Sequence, residues 1–122
     1  MRSNYEDLLA WLETKLTWAK TFTLGYGTQN ANTITPAVYL VPNQGTWPDQ
    51  WKMEGKALLF VQVMKTTKPQ EVLLDYAEEI RGHFITTPNP SGWALVKPEG
   101  WEIDQDETGS QGILAMDLAL IM

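Results

Sequence analysis

Ala57-Leu58-Leu59-Phe60-Val61-Gln62-Val63-Met64 is the most hydrophobic run of the chain, and it leads through Thr67 and Pro69 into a helical pattern lasting to about Phe84. Successive side chains of a strand point to opposite faces. Ala57, Leu59, Val61 and Val63 therefore line one face, and Leu58, Phe60 and Met64, with Gln62 among them, line the other. A strand apolar on both faces belongs in the middle of a sheet. In the helix that follows, Leu73, Tyr76, Ala77, Ile80 and Phe84 recur at helical spacing, while Glu71, Asp75, Glu78 and Glu79 fall mostly outside that stripe.

Working upstream, Ala37 to Val41 reads as a strand between Pro36 and Pro42, and Thr21 to Leu24 as a short β-prone run. A Gly-, Asn- and Thr-rich loop, Gly25 to Thr35, separates them. The N-terminal segment predicts a helix: Ser3 and Glu6 fit a capping box, and Tyr5, Leu8, Leu9, Leu12, Leu16 and Ala19 form one apolar face. Trp11 and Trp18 fall on a flank of that face. Between the two central strands lies a polar excursion, read as a long loop over residues 43–56, punctuated by Gly45, Pro48 and Gly55 and carrying Trp47 and Trp51. Loops of that length are uncommon in a compact domain and usually have a function.

Downstream of the second helix, Trp93 to Val96 and Trp101 to Ile103 read as strands around Lys97-Pro98-Glu99-Gly100, which suits a type I turn. Trp93 and Trp101 are expected in the core. The last strand starts at Ile113. Leu114, Met116, Leu118, Leu120 and Met122 line one side of it, and Ile113, Ala115, Asp117, Ala119 and Ile121 the other. The whole, residues 1–122, reads as a single α+β domain: a mixed, mainly antiparallel sheet of about five to six strands with two helices packed on one face.

Composition excludes several function classes. The 122 residues carry 15 acidic and nine basic side chains, a net charge of −6, and the basic residues are scattered, so no specific nucleic-acid binding is expected. With no cysteine there is no disulfide, thiolate metal site or cysteine nucleophile. Acids within the N-terminal apolar pattern argue against a signal peptide, and no apolar run approaches the ~20 residues of a membrane helix. The chain reads as soluble and made in the cytoplasm, without membrane partners.

No catalytic or metal-binding constellation emerges, and no cofactor is expected. Asp104-Gln105-Asp106-Glu107-Thr108-Gly109 resembles the opening of an EF-hand loop, but position twelve is Ala115 where a carboxylate is needed, so no physiological calcium binding is expected. His83, the sole histidine, sits near a helix C-terminus, where it can meet the helix dipole. Gly25-Tyr26-Gly27 lacks the third glycine of a dinucleotide loop, and Ser3, Ser91 and Ser110 have no nucleophile-elbow context. The abundant signal is tryptophan, six in the chain. Because Trp is enriched at binding hot spots, Trp47, Trp51, Trp11 and Trp18 are candidate interface residues. Two helices shield only one sheet face, so Leu58, Phe60, Ile113 and Ile121 on the other call for a cover: a partner subunit is the simplest, and the long loop is the alternative.

The succession of an N-terminal amphipathic helix (Tyr5 to Ala19), a Pro-led strand (Pro36 to Val41), a long excursion, a strand running into an acidic amphipathic helix (Ala57 to Phe84), and a hairpin with terminal strand resembles the tail terminator, or tail completion, proteins of long-tailed bacteriophages. The resemblance covers nearly the whole chain through size, element order and composition, since that family has no diagnostic short motif. It implies a non-enzymatic virion protein: a homo-oligomeric ring, usually a hexamer, that caps the tail tube protein's polymer and offers a docking face to the head–tail connector protein. It carries over no catalytic residue. Two other readings stay open: another phage neck or minor tail component, and a small-ligand-binding or enzymatic α+β domain using Asp104, Asp106 and His83.

Overall fold

The computed structural model describes residues 1–25, 36–50, 52–64, 66–105 and 110–122. Two helices, α1 (Arg2–Lys15) and α2 (Pro69–Thr86), pack on five strands: β1 (Thr21–Leu24), β2 (Ala37–Asp49), β3 (Lys52–Val63), β4 (Leu95–Gln105) and β5 (Gly112–Ile121). The strand order is β1-β2-β3-β5-β4. β1 runs parallel to β2, and all other pairs are antiparallel. The α+β class, the mixed sheet and the one-sided helix layer agree with the sequence reading.

The core forms where the period-2 faces of the strands meet the period-3.6 faces of the helices. Leu59 and Val61 on β3 pair in register with Met116 and Leu114 on β5, and Val38 and Leu40 on β2 flank them. Leu8, Leu12 and Leu16 cover this layer from the N-terminal segment, and Leu73, Ala77, Ile80 and Phe84 cover it from α2, all buried. Trp93 is 2 % exposed, meets Tyr5 edge-on at 5.2 Å, and donates its indole N–H to the Asn4 carbonyl at 3.0 Å. It lies just after a 3-10 turn (Pro90–Gly92) rather than on a strand, where its bond to Asn4 ties α1 to that turn.

Three local expectations are corrected. Ser3 does not cap α1: the helix already starts at Arg2 with Met1 as N-cap, and Glu6 pairs with Arg2 at 2.8 Å. The helix ends at Lys15, and Leu16 and Ala19 are buried in the turn that follows. Lys97-Pro98-Glu99-Gly100 is not a turn between two strands but an irregularity within β4, whose register on β5 shifts between Pro98 and Gly100. Proline lacks a ladder N–H and is tolerated at such a place on an edge strand.

The segment read as a loop over residues 43–56 is the most consequential difference. It extends the β2–β3 hairpin as far as the pair Asp49–Lys52, with register shifts at Pro42/Gln44 and Thr46/Asp49. Its strand-breaking residues, Pro42, Gly45, Pro48 and Gly55, mask the β pattern in sequence, and the ladder absorbs them as irregularities.

Two glycines test the packing in opposite directions. A Cβ on Gly112 would lie 2.9 Å from Leu73 Cδ1 and 3.1 Å from Pro69 Cβ, so these side chains of α2 would have to shift where they meet the start of β5. Gly82, exposed within α2, has nothing within 4 Å. In denaturant titrations Gly112→Ala is expected to destabilise by about 1–3 kcal/mol through overpacking. Gly82→Ala should stabilise by about 0.5–1 kcal/mol through reduced backbone entropy.

Candidate functional site

The extended hairpin is an arm whose outgoing strand is exposed and whose returning strand stays paired with β5 up to Glu54. Pro42 to Gln50 are all exposed. On the returning strand Met53 is the buried side chain. Its sulfur sits over a facing pair of glycines, Gly45 and Gly55. A Cβ would come 3.3 Å from that sulfur at Gly45 and 3.1 Å at Gly55, where it would also meet the Gln44 carbonyl at 2.8 Å. The two glycines thus make room for the thioether that anchors the arm against the body. The Met122 N–H donates to the Met53 carbonyl at 3.0 Å, and Lys56 meets Glu99 at 3.8 Å. Trp47 is 66 % exposed on the rim of a shallow hollow of about 210 Å³ shared with Met1, Tyr5 and Met53. Trp51 lies outside the described residues.

The other two candidate tryptophans are engaged within the chain. Trp11 packs on Phe84 with ring centres 5.3 Å apart, and Lys15 Nζ lies 5.9 Å from its centre. Trp18, in the turn after α1, stacks on Tyr76 at 3.7 Å with planes 9° apart and donates its indole N–H to Glu79 at 2.9 Å. The same Glu79 oxygen is 3.5 Å from His83 Nε2, a buried nitrogen that makes no hydrogen bond. Trp11 and Trp18 thus pin the N-terminal segment to α2, and they do not converge with Trp47.

Leu58 and Phe60 are half-buried on the helix-free face against buried Ala37, Tyr39 and Val41. Register carries this apolar strip to β5, where Ala115 faces Phe60 and Ile113 faces Gln62. It ends on acids, with Asp117 opposite Leu58 and Glu102 beside Ala115. Ile121 stands apart, between Glu54 and Leu95.

A second apolar feature escaped the sequence reading. Between α2 and β4 lies a cleft of about 530 Å³ walled by Leu74, Ala77, Trp101 and Met116, with Glu78 and Arg81 at its rim. Trp101, expected in the core, is 54 % exposed there. It shares the helix-side face with its register partner Met116, but β4 is the edge strand, and no further strand continues the sheet beyond it among the described residues. Leu74 and Ile85 are 37 % and 60 % exposed on α2. The signal available in sequence was that both fall outside the helix's core stripe.

Among the described residues, Asp104 and His83 do not share a site, and His83 has Glu79 as its acidic neighbour. Asp104 and Gln105 are exposed at the end of β4, Asp106 to Gly109 lie outside the described residues, and Ala115 is half-buried in β5. Of Gly25-Tyr26-Gly27 only Gly25 is described, closing β1 with a φ of +86°. Among the described residues no group of three His, Asp or Glu side chains could hold a metal ion, and no helix is long and apolar enough to cross a membrane. No protein-family model matches the chain, and no curated protein matches it.

The Trp18 contact has a pH signature. Burial first, then the Glu79 and Asp75 carboxylates, raise the Tyr76 phenol above its ordinary value of 10.0. The folded state therefore holds this proton more tightly than the unfolded chain. The resulting stability is fully present below the unfolded value and is lost as pH rises through the folded one. Thermal midpoints should accordingly start to fall near pH 10, and Tyr76→Phe should make that fall shallower. Burial of Tyr5 raises its phenol as well, so the fall should not vanish.

Proposed function

We propose that this chain is a structural virion protein of a long-tailed bacteriophage, a tail terminator: copies close into a ring, a hexamer, that caps the tail tube, ends its polymerisation and offers a docking face to the head–tail connector. The observation that carries this reading is the arm. Its outgoing strand, with nine consecutive exposed residues and an outward tryptophan, adds little to the core that folds the domain. Exposed segments of this kind persist where they contact something.

Other features support the same reading. The apolar strip on the helix-free face and the cleft beside α2 give one subunit several separate surfaces, which a ring contacting a tube on one side and a connector on the other requires. A net charge of −6 suits a ring through which DNA passes without binding. The role is assembly rather than catalysis, and the site of action is the virion tail or neck.

Light scattering coupled to size exclusion, alone and with tail tubes, is expected to show a ring, and electron microscopy should show capped tubes that no longer elongate. Trp47→Ala should leave thermal unfolding of the subunit nearly unchanged, within about 0.5 kcal/mol. It should weaken ring formation or capping by about 2 kcal/mol, roughly thirtyfold. A subunit that stays monomeric with and without tubes, and leaves tube growth unaffected, would overturn the reading.

A further inference from the structure

Four of the five exposed large apolar side chains among the described residues lie in two places. One is the exposed outgoing strand of the arm, with Trp47, and Met1 across the shallow hollow that both line. The other is concave: the cleft between α2 and β4, with Trp101 and Leu74 in its walls. We propose that this cleft receives the arm of a second copy of the chain, so that the ring rests on one repeated head-to-tail contact. This inference builds on the ring reading above and names the surface that completes it.

Backbone pairing gives the contact a frame. Beyond Leu40, β2 pairs with β3 alone, so its outer edge from Pro42 to Pro48 has no strand beside it among the described residues. β4 ends the sheet and has β5 as its one partner strand, although near its start the Val96 N–H is taken by the Pro88 carbonyl at 2.7 Å. Two such edges can add to each other, with main-chain hydrogen bonds supplying affinity and a side-chain pocket supplying register. With Trp47 as the inserted side chain, a cleft of about 530 Å³ has room for the indole. Arg81 at the rim can lie over the inserted ring as a cation on its π-face.

Charge selects the arm over the other edges. From Leu95 to Gln105, β4 carries Lys97 against Glu99, Glu102 and Asp104, one positive charge and three negative, a sum of −2. Two β4 edges brought together would set acids against acids, which protects an edge from pairing with its own kind. From Pro42 to Lys56 the arm carries Lys52 and Lys56 against Asp49 and Glu54, a sum of zero. The arm thus brings no net charge to the acidic edge, its lysines being paired within the chain with Glu54 and Glu99. A contact between two different patches is heterologous, and its repetition closes into a ring where the rotation from copy to copy closes.

The absence of cysteine makes the contact directly testable. Thr46→Cys places a thiol beside Trp47 on the arm, and Glu78→Cys places one at the rim of the cleft, both at exposed positions. The two variants are mixed, with tail tubes present if the free protein is monomeric, and treated with a short bismaleimide. A 46–78 cross-linked dimer, identified by peptide mass spectrometry, is expected in the mixture and in neither variant alone. The double variant should give a ladder ending at the ring. Adding Leu74→Asp or Trp101→Ala to the Glu78→Cys copy should cut the cross-link at least tenfold, with Leu74→Asp confined to an exposed helix position. A ring by light scattering that yields no 46–78 product, or a product insensitive to both cleft variants, overturns this contact and leaves the ring reading standing. A monomer under every condition overturns both.

Discussion

Both helices lie on one side of the sheet, and most of the molecule follows from that constraint. Leu59 and Val61 on β3 and Leu114, Met116 and Leu118 on β5 form a continuous layer under α1 and α2, fully or almost fully buried. Burying apolar surface at roughly 25 cal/mol per Å² makes such a layer the main favourable term of folding. The helices reach it because Gly112 lets Leu73 and Pro69 close on the start of β5, and because Trp93 ties the α1 end to the 3-10 turn. What the helices cannot cover they leave to other means.

Those means differ across the sheet. On the helix-free face Tyr39 and Val41 gather Leu58 and Phe60 into a small second cluster, and acidic side chains end the strip toward β4. At the β4 edge the irregularity at Pro98 and the acids Glu99, Glu102 and Asp104 discourage like strands from pairing. At the far end of the sheet β3 stays paired with β5 while the outgoing strand beside it is exposed, and the Met53 thioether over two glycines holds this arm to the body. The uncovered surface of a one-sided fold is thus distributed among a strip, an edge and an arm.

The tryptophans show how a single residue type serves both halves of that division. Trp93 is core, and Trp11 and Trp18 bind the N-terminal segment to α2 through Phe84, Tyr76 and Glu79. Trp47 and Trp101 stay in solvent, one on a projection and the other in a recess. Large rigid aromatic area stabilises whichever contact completes it. For Trp93, Trp11 and Trp18 that contact comes from the helices of the same chain.

Sequence periodicity by itself determined the layer beneath the helices. Alternation in Ala57 to Val63 and Leu114 to Leu120, and the helical spacing of Leu8, Leu12, Leu73, Ile80 and Phe84, name the side chains that become buried, because each period maps a linear pattern onto one face of one element. It also marked the excess apolar surface on the far side of β3. It did not reveal that residues 43–56 pair as strands, because glycines and prolines there signal a loop, and only the Met53 contact with the body explains why they are accommodated. Nor could it sort the tryptophans. The partners that decide their fates lie far away in the chain, 61 residues for Trp18 with Glu79 and 89 for Trp93 with Asn4. Local spacing carries no information over such separations. Trp101 makes the same point in reverse: its alternation placed it on the core face correctly, but only the strand order, which puts β4 at the edge, left that face open.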